Sequence, residues 1–152
     1  MVPLTVRHAA LRSHAGEVSL PGGAVEPGDA DRASAALREA HEEVRVDPTA
    51  VRLLGNLDDV WIPVSNYQVR PFVGAMPDRP RLIPHMQEVA AVMELPVRRL
   101  LEPDAVDEEE IDVRGYRLRA AVYRYGGERI WGATARTLAM FAQVAREAGR
   151  AS

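Results

Sequence analysis

The chain has 152 residues, of which 47% are hydrophobic and 27% charged, with a net charge of -3 and no cysteine. That length suits one domain with a real core, so a single domain over residues 1–152 is expected. Disulfides, thiolate metal sites and cysteine nucleophiles are excluded, the charge gives no footprint for nucleic acid, and no apolar run reaches the roughly 18–20 residues of a membrane span. No signal peptide is visible, so the cytoplasm is the default expectation.

Leu4–Arg7 reads as a short strand and Glu17–Leu20 as another, ended by Pro21-Gly22-Gly23. From Asp31 to about Val44 the apolar positions Ala33, Ala36, Leu37, Ala40 and Val44 recur at helical spacing, with Asp29 or Asp31 placed to cap the helix. They lie opposite Glu39, Glu42 and Glu43, so the helix is expected to pack by one side and present carboxylates on the other. Strands are expected over Val51–Ile62, Tyr67–Ala75 and Val89–Leu95, and one helical turn over Val97–Leu101. Asp107–Glu110 reads as a solvated acidic loop. Arg114–Tyr125 reads as a hairpin arm, turning at Gly126-Gly127 before Arg129–Trp131. A last helix runs from about Ala133 to Glu147, with Leu138, Phe141 and Ala145 on its buried side. Strands mixed with two substantial helices imply a single α/β sandwich.

The chemistry concentrates in Arg38-Glu39-Ala40-His41-Glu42-Glu43, which follows the Gly22-Gly23 turn by one loop. On a helix the three glutamates crowd one face, and like charges at that spacing cost a few tenths of a kcal/mol per pair. A hard divalent cation such as Mg²⁺ removes the repulsion and bridges carboxylates to phosphates. The Gly-Gly turn offers backbone that a phosphate or metal can approach closely. A plain solvated acidic face is the alternative for the glutamates, and a plain turn is the alternative for Gly22 and Gly23. His41-Glu42 does not open a zinc-protease helix, because Arg45 stands where the second histidine would be.

Residues Gly23 to Val46 resemble the Nudix box, G-x5-E-x7-R-E-U-x-E-E-x-G-U with U apolar. Gly23 is followed after five residues by Asp29, then by Arg38-Glu39, Glu42-Glu43 and Val46. The chain departs in having Asp29 for Glu, eight residues rather than seven between Asp29 and Arg38, and Arg45 for the glycine. The first two departures are similar to the coenzyme A pyrophosphatase branch of that family. That branch also carries L-L-T-x-R-[SA]-x3-R-x3-G-x3-F-P-G-G, and here Leu4-Thr5, Arg7, Arg12, Gly16 and Pro21-Gly22-Gly23 keep its spacing. Pro3, His8 and Leu20 depart from it, while Ile130–Arg136 is similar to the segment opening the branch's last helix.

The resemblance implies a Nudix-type α/β/α sandwich with a mixed sheet between helices. The family usually has sheet-forming sequence before the Leu4–Arg7 strand, so the expectation is either a chain incomplete at its start or a sheet lacking that strand. An edge left open in this way invites pairing with a second copy, so a homodimer is an open expectation. The implied reaction is metal-dependent hydrolysis of the pyrophosphate in coenzyme A or an acyl or oxidised form, giving 3′,5′-ADP and 4′-phosphopantetheine. Mg²⁺ or Mn²⁺ is the implied cofactor.

The same resemblance assigns Glu39 and Glu43 as main metal ligands and Glu42 as a third ligand or the group that takes a proton from water. Arg38 then pairs with a carboxylate or contacts phosphate. Arg7 and Arg12 become phosphate-binding groups, where the guanidinium fork suits bidentate contact, and Gly22 and Gly23 become substrate-binding backbone. Glu88, after a Pro-rich loop, reads as plain strand-edge surface with a catalytic base as the alternative; Trp61 and Tyr67 are open as adenine stacks, and core packing is the expectation for Trp131 over stacking. His14 and His85 read as loop surface. ADP-ribose, NADH and dinucleoside polyphosphates remain alternative substrates, and a nucleotide-binding module that no longer hydrolyses is the alternative class. Arg45 has a physical consequence of its own: a non-glycine residue in the left-handed conformation costs about 1–2 kcal/mol. Either this helix ends differently or it carries strain beside the site.

Overall fold

The computed structural model describes residues 1–8, 16–63, 65–113 and 115–150, so the Arg12 and His14 expectations lie outside the described residues. Strand β1 (Val2–Arg7) pairs antiparallel with β2 (Val18–Ser19) on one side and with a later strand, Val89–Leu95, on the other. β1 buries Leu4 and Thr5, and the Thr5 hydroxyl lies 2.9 Å from Ser19 Oγ, so the buried polar group is satisfied.

Helix α1 (Arg32–Val44) begins where Asp31 Oδ1 accepts from the Ser34 N–H at 2.7 Å, which settles the cap on Asp31. The expectation that its carboxylates face away from the packed side is corrected at one position. Its buried residues are Ala35, Val44 and also Glu43, the last only 5% exposed. The helix stops in the strained manner: Arg45 is left-handed, with φ 61 and ψ 30, its N–H bonded to His41 O at 2.9 Å. The carbonyls of Glu43 and Val44 are not left bare. The N–H of His85 donates to the first at 2.8 Å and that of Ile83 to the second at 3.0 Å.

The single strand expected over Val51–Ile62 is two, β3 (Arg52–Asn56) and β4 (Val60–Ile62). Tyr67–Ala75 likewise divides into β5 (Tyr67–Val69) and β6 (Phe72–Ala75). Pro71 has no N–H to give a ladder, and it sits at the second break. At the first break, Asp59 turns aside to hold Arg70, with Oδ1 2.7 Å from Nε. β3 pairs with β6 and β4 with β5. β7 (Val89–Leu95) and one turn, α2 (Val97–Leu100), fall where expected.

The acidic run is a strand rather than a loop, which corrects the reading of Asp107–Glu110. β8 (Asp107–Val113) pairs along β9 (Tyr116–Tyr125), placing Glu110 opposite Arg119 and Asp112 opposite Arg117. Cross-strand opposite charges supply what apolar alternation normally does. Arg124 pairs with Glu109, and Arg129 Nε donates to the other Glu109 oxygen at 2.9 Å. β10 (Glu128–Ile130) closes the hairpin after Gly126 and Gly127, both at positive φ.

α3 (Gly132–Arg150) is longer than expected and buries Ala135, Thr137, Leu138 and Ala142, with Phe141 and Ala145 half-buried. One core joins Leu4, Val18 and Leu95 of the β2-β1-β7 sheet to Leu100, Tyr123, Ile130 and the α3 residues Ala135, Leu138 and Ala142. Helices thus flank several antiparallel sheets, in the α/β/α arrangement expected. Among the described residues no helix is long and apolar enough to cross a membrane.

Candidate active site

Two pieces of backbone pairing assemble the site. The β1–β7 register shifts between Val6 and Arg7, and His8 N–H then donates to Glu88 O at 2.9 Å, so Arg7 and Glu88 meet at one end of the sheet. A bulge of this kind re-aims a side chain. From the other side, the Ile83 and His85 hydrogen bonds tie the loop before β7 to the end of α1. Glu88 is thereby set opposite the acidic face of α1.

Glu43 and Glu39 point back to the Gly-Gly turn. Gly22 N–H donates to Glu43 Oε2 at 3.3 Å. A Cβ built on Gly23 would lie 2.2 Å from Glu39 Oε1, so only glycine leaves room for that carboxylate. Burial pushes Glu43 up to about 7; the charges of Glu39 and Glu88 push the same way, against the Gly22 N–H and the Arg7 guanidinium. Burial also raises Glu39, with Glu42 and Glu88 adding to it against Arg38. The charge of Glu88 thus acts on both Glu39 and Glu43, and a cleft of about 190 Å³ lined by Glu42, Arg45, His85 and Glu88 opens beside them.

Arg38 is spoken for. Its Nε and Nη2 grip Asp29 at 3.0 and 3.1 Å, and Nη2 also donates to Ala24 O at 3.0 Å. Nη1 reaches Glu39 Oε1 at 3.2 Å and Glu42 Oε2 at 3.1 Å. The Asp29 carboxyl is held below its ordinary value by this guanidinium. Of the two roles open to Arg38, the geometry is that of the carboxylate-pairing one. Glu42 is the outlying member of the trio, its side chain 54% exposed.

Among the described residues no three carboxylate or imidazole groups are gathered closely enough to hold a metal ion. The donor chemistry nonetheless fits a hard divalent cation: all-oxygen, anionic, and with Glu39 and Glu43 crowded and partly desolvated beside approachable backbone. Arg7 Nε is buried without a hydrogen-bond partner among the described residues, an unmet donor at the edge of this cluster. Trp61 and Tyr67 are 55% and 60% exposed, and Trp131 is half-buried with the Arg129 guanidinium 5.7 Å from its ring centroid. His85, read from sequence as loop surface, lines the cleft. Nothing in the sequence links it to α1, because its tie to Glu43 is through backbone.

A family model described as the NUDIX domain matches residues 4–121. The chain is similar to proteins named "Uncharacterized Nudix hydrolase NudL". That of Cronobacter sakazakii is 44% identical over 134 residues, covering 87% of this chain and 68% of that protein. Those of Enterobacter sp. (strain 638) and Escherichia coli K12 are 40% and 42% identical over 132 residues, with the same two coverages.

Proposed function

The chain belongs to the Nudix family, and from that premise we propose that it hydrolyses the pyrophosphate bond of coenzyme A or an acyl or oxidised form. The products are 3′,5′-ADP and 4′-phosphopantetheine or its acylated equivalent, with water entering the phosphoanhydride. One observation supports a hydrolytic site most: Glu39 and Glu43 are both raised in proton affinity, chiefly by burial and also by the nearby charge of Glu88, beside the Gly22-Gly23 turn. The coenzyme A assignment rests on Leu4-Thr5, Arg7, Gly16 and Pro21-Gly22-Gly23 at the spacing of that branch.

Glu39 and Glu43 would hold the divalent cation, Mg²⁺ or Mn²⁺, with Glu42 next to them. When bound, such an ion neutralises phosphate oxygens and makes water more acidic. The remaining work belongs to the chain. The Gly22 and Gly23 backbone lets the diphosphate come close, and the buried Arg7 Nε supplies a donor for a phosphate oxygen. Arg38 is a positioning residue that sets Glu39 and Glu42 and pins the loop through Asp29. Glu42 and Glu88 both face the cleft. Arg38 already draws on Glu42, so Glu88 is assigned to take the proton from the attacking water.

Incubation with coenzyme A and Mg²⁺ or Mn²⁺, with 3′,5′-ADP followed by chromatography, tests the proposal; a folded sample giving no product at micromolar enzyme ends it. A panel with ADP-ribose, NADH and dinucleoside polyphosphates compares kcat/KM. A second reading, nucleotide binding without turnover, draws on Arg38 holding both Glu39 and Glu42. Coenzyme A bound but not cut supports it, whereas turnover lost in Glu43→Gln excludes it.

A further inference from the structure

We infer that Arg45 is a substrate-binding residue that takes phosphate oxygens at the mouth of the cleft and sets how tightly the anionic substrate is held. Three observations carry this. The residue occupies a left-handed position, φ 61, that glycine fills without strain, so the side chain is kept against a backbone cost. It lines the same cleft as Glu42, His85 and Glu88, directly beside the acidic cluster. Yet its guanidinium makes no hydrogen bond or ion pair among the described residues, while Arg38, seven residues earlier on α1, is fully engaged.

The ordinary role of a cation at a helix C-terminus is to satisfy the last carbonyls. Here the Ile83 and His85 N–H groups already do so, through Val44 O and Glu43 O. That leaves Arg45 as an exposed, unengaged fork at the rim of a site whose own charge is negative. A substrate bearing several phosphates meets repulsion from the glutamates, and a cation at the rim offsets it on approach and holds it on arrival. The phosphate oxygens concerned belong either to the diphosphate bridge or to a terminal phosphomonoester.

This inference rests on the proposed hydrolytic reading, and the test separates the two. Arg45→Gly and Arg45→Lys are compared with wild type for hydrolysis of coenzyme A and of dephospho-coenzyme A. Binding of coenzyme A and of inorganic pyrophosphate is measured in parallel by calorimetry in the presence of chelator. Arg45→Gly is expected to lower kcat/KM and weaken binding by about tenfold, while its melting temperature rises as the strain is relieved. Arg45→Lys is expected to recover part of the binding and none of the thermal gain. A loss seen with coenzyme A alone places the contact on the phosphomonoester, and an equal loss with both places it on the bridge. A wild type that cuts and binds pyrophosphate but shows no change in Arg45→Gly overturns the inference and leaves the hydrolase reading intact. A wild type that ignores coenzyme A but binds pyrophosphate in an Arg45-dependent way does the reverse, and pyrophosphate that does not bind at all overturns the inference.

Discussion

Replacing Glu43 by Gln isolates the energetic cost of the site. The unfolded carboxyl titrates at its ordinary 4.5, and the folded one, desolvated and facing Glu39 and Glu88, at about 7. Between those values the folded state holds the extra proton, so this group's contribution to stability is present at low pH and is lost as pH rises through 7. At about 1.4 kcal/mol per pH step the bound is about 3 kcal/mol, which water at the open cleft screens to about 2 kcal/mol. Gln keeps an oxygen for the Gly22 N–H and cannot ionise. Urea unfolding in chelator should therefore find Glu43→Gln about 2 kcal/mol more stable than wild type near pH 8.5 and nearly equal to it near pH 5. Activity should fall at least about a hundredfold, the scale of losing a charge-stabilising group. A stability difference that stays constant from pH 5 to 8.5 would refute the reasoning, because it would show that Glu43 is not desolvated.

Gly23→Ala should fold within about 1 kcal/mol of wild type, since the Cβ meets only the movable end of Glu39. By displacing that carboxylate it should still cost about a hundredfold in kcat, and steady-state kinetics beside a melting curve reads both. Arg38→Met frees Asp29, Glu39 and Glu42 together; a loss of about a hundredfold in kcat/KM is expected, with faster protease cleavage of the residue 24–29 loop. Leu138→Ala opens the core under α3 and should cost about 3 kcal/mol in urea unfolding with unchanged KM. Glu88→Gln and Glu42→Gln, compared by steady-state kinetics, should differ, the first lowering kcat by about a hundredfold and the second lowering mainly kcat/KM.

The helix that bears the site was legible because its apolar spacing, its Asp31 cap and its acidic signature all agree along one stretch of chain. The same holds for β7 and the Gly126-Gly127 hairpin. Local rules failed where distant partners decide. Asp107–Glu110 has no apolar alternation, and only the arginines of β9 and β10 make it a strand. The burial of Glu43 depends on Gly22, 21 residues away, while the approach of Glu88 to α1 depends on two backbone hydrogen bonds from the preceding loop. Arg45 was visible as an exception to a pattern, but its unengaged side chain was not.

The outer strand of the hairpin sheet carries one more consequence. β8 has β9 on one side and no strand on the other among the described residues. A newcomer adding itself there would have to face Glu108, Glu110 and Asp112. Only a basic segment could do so comfortably, so the protein resists fibre-like stacking at this rim by electrostatic veto, and crowded or concentrated samples should stay dispersed until salt dulls those charges.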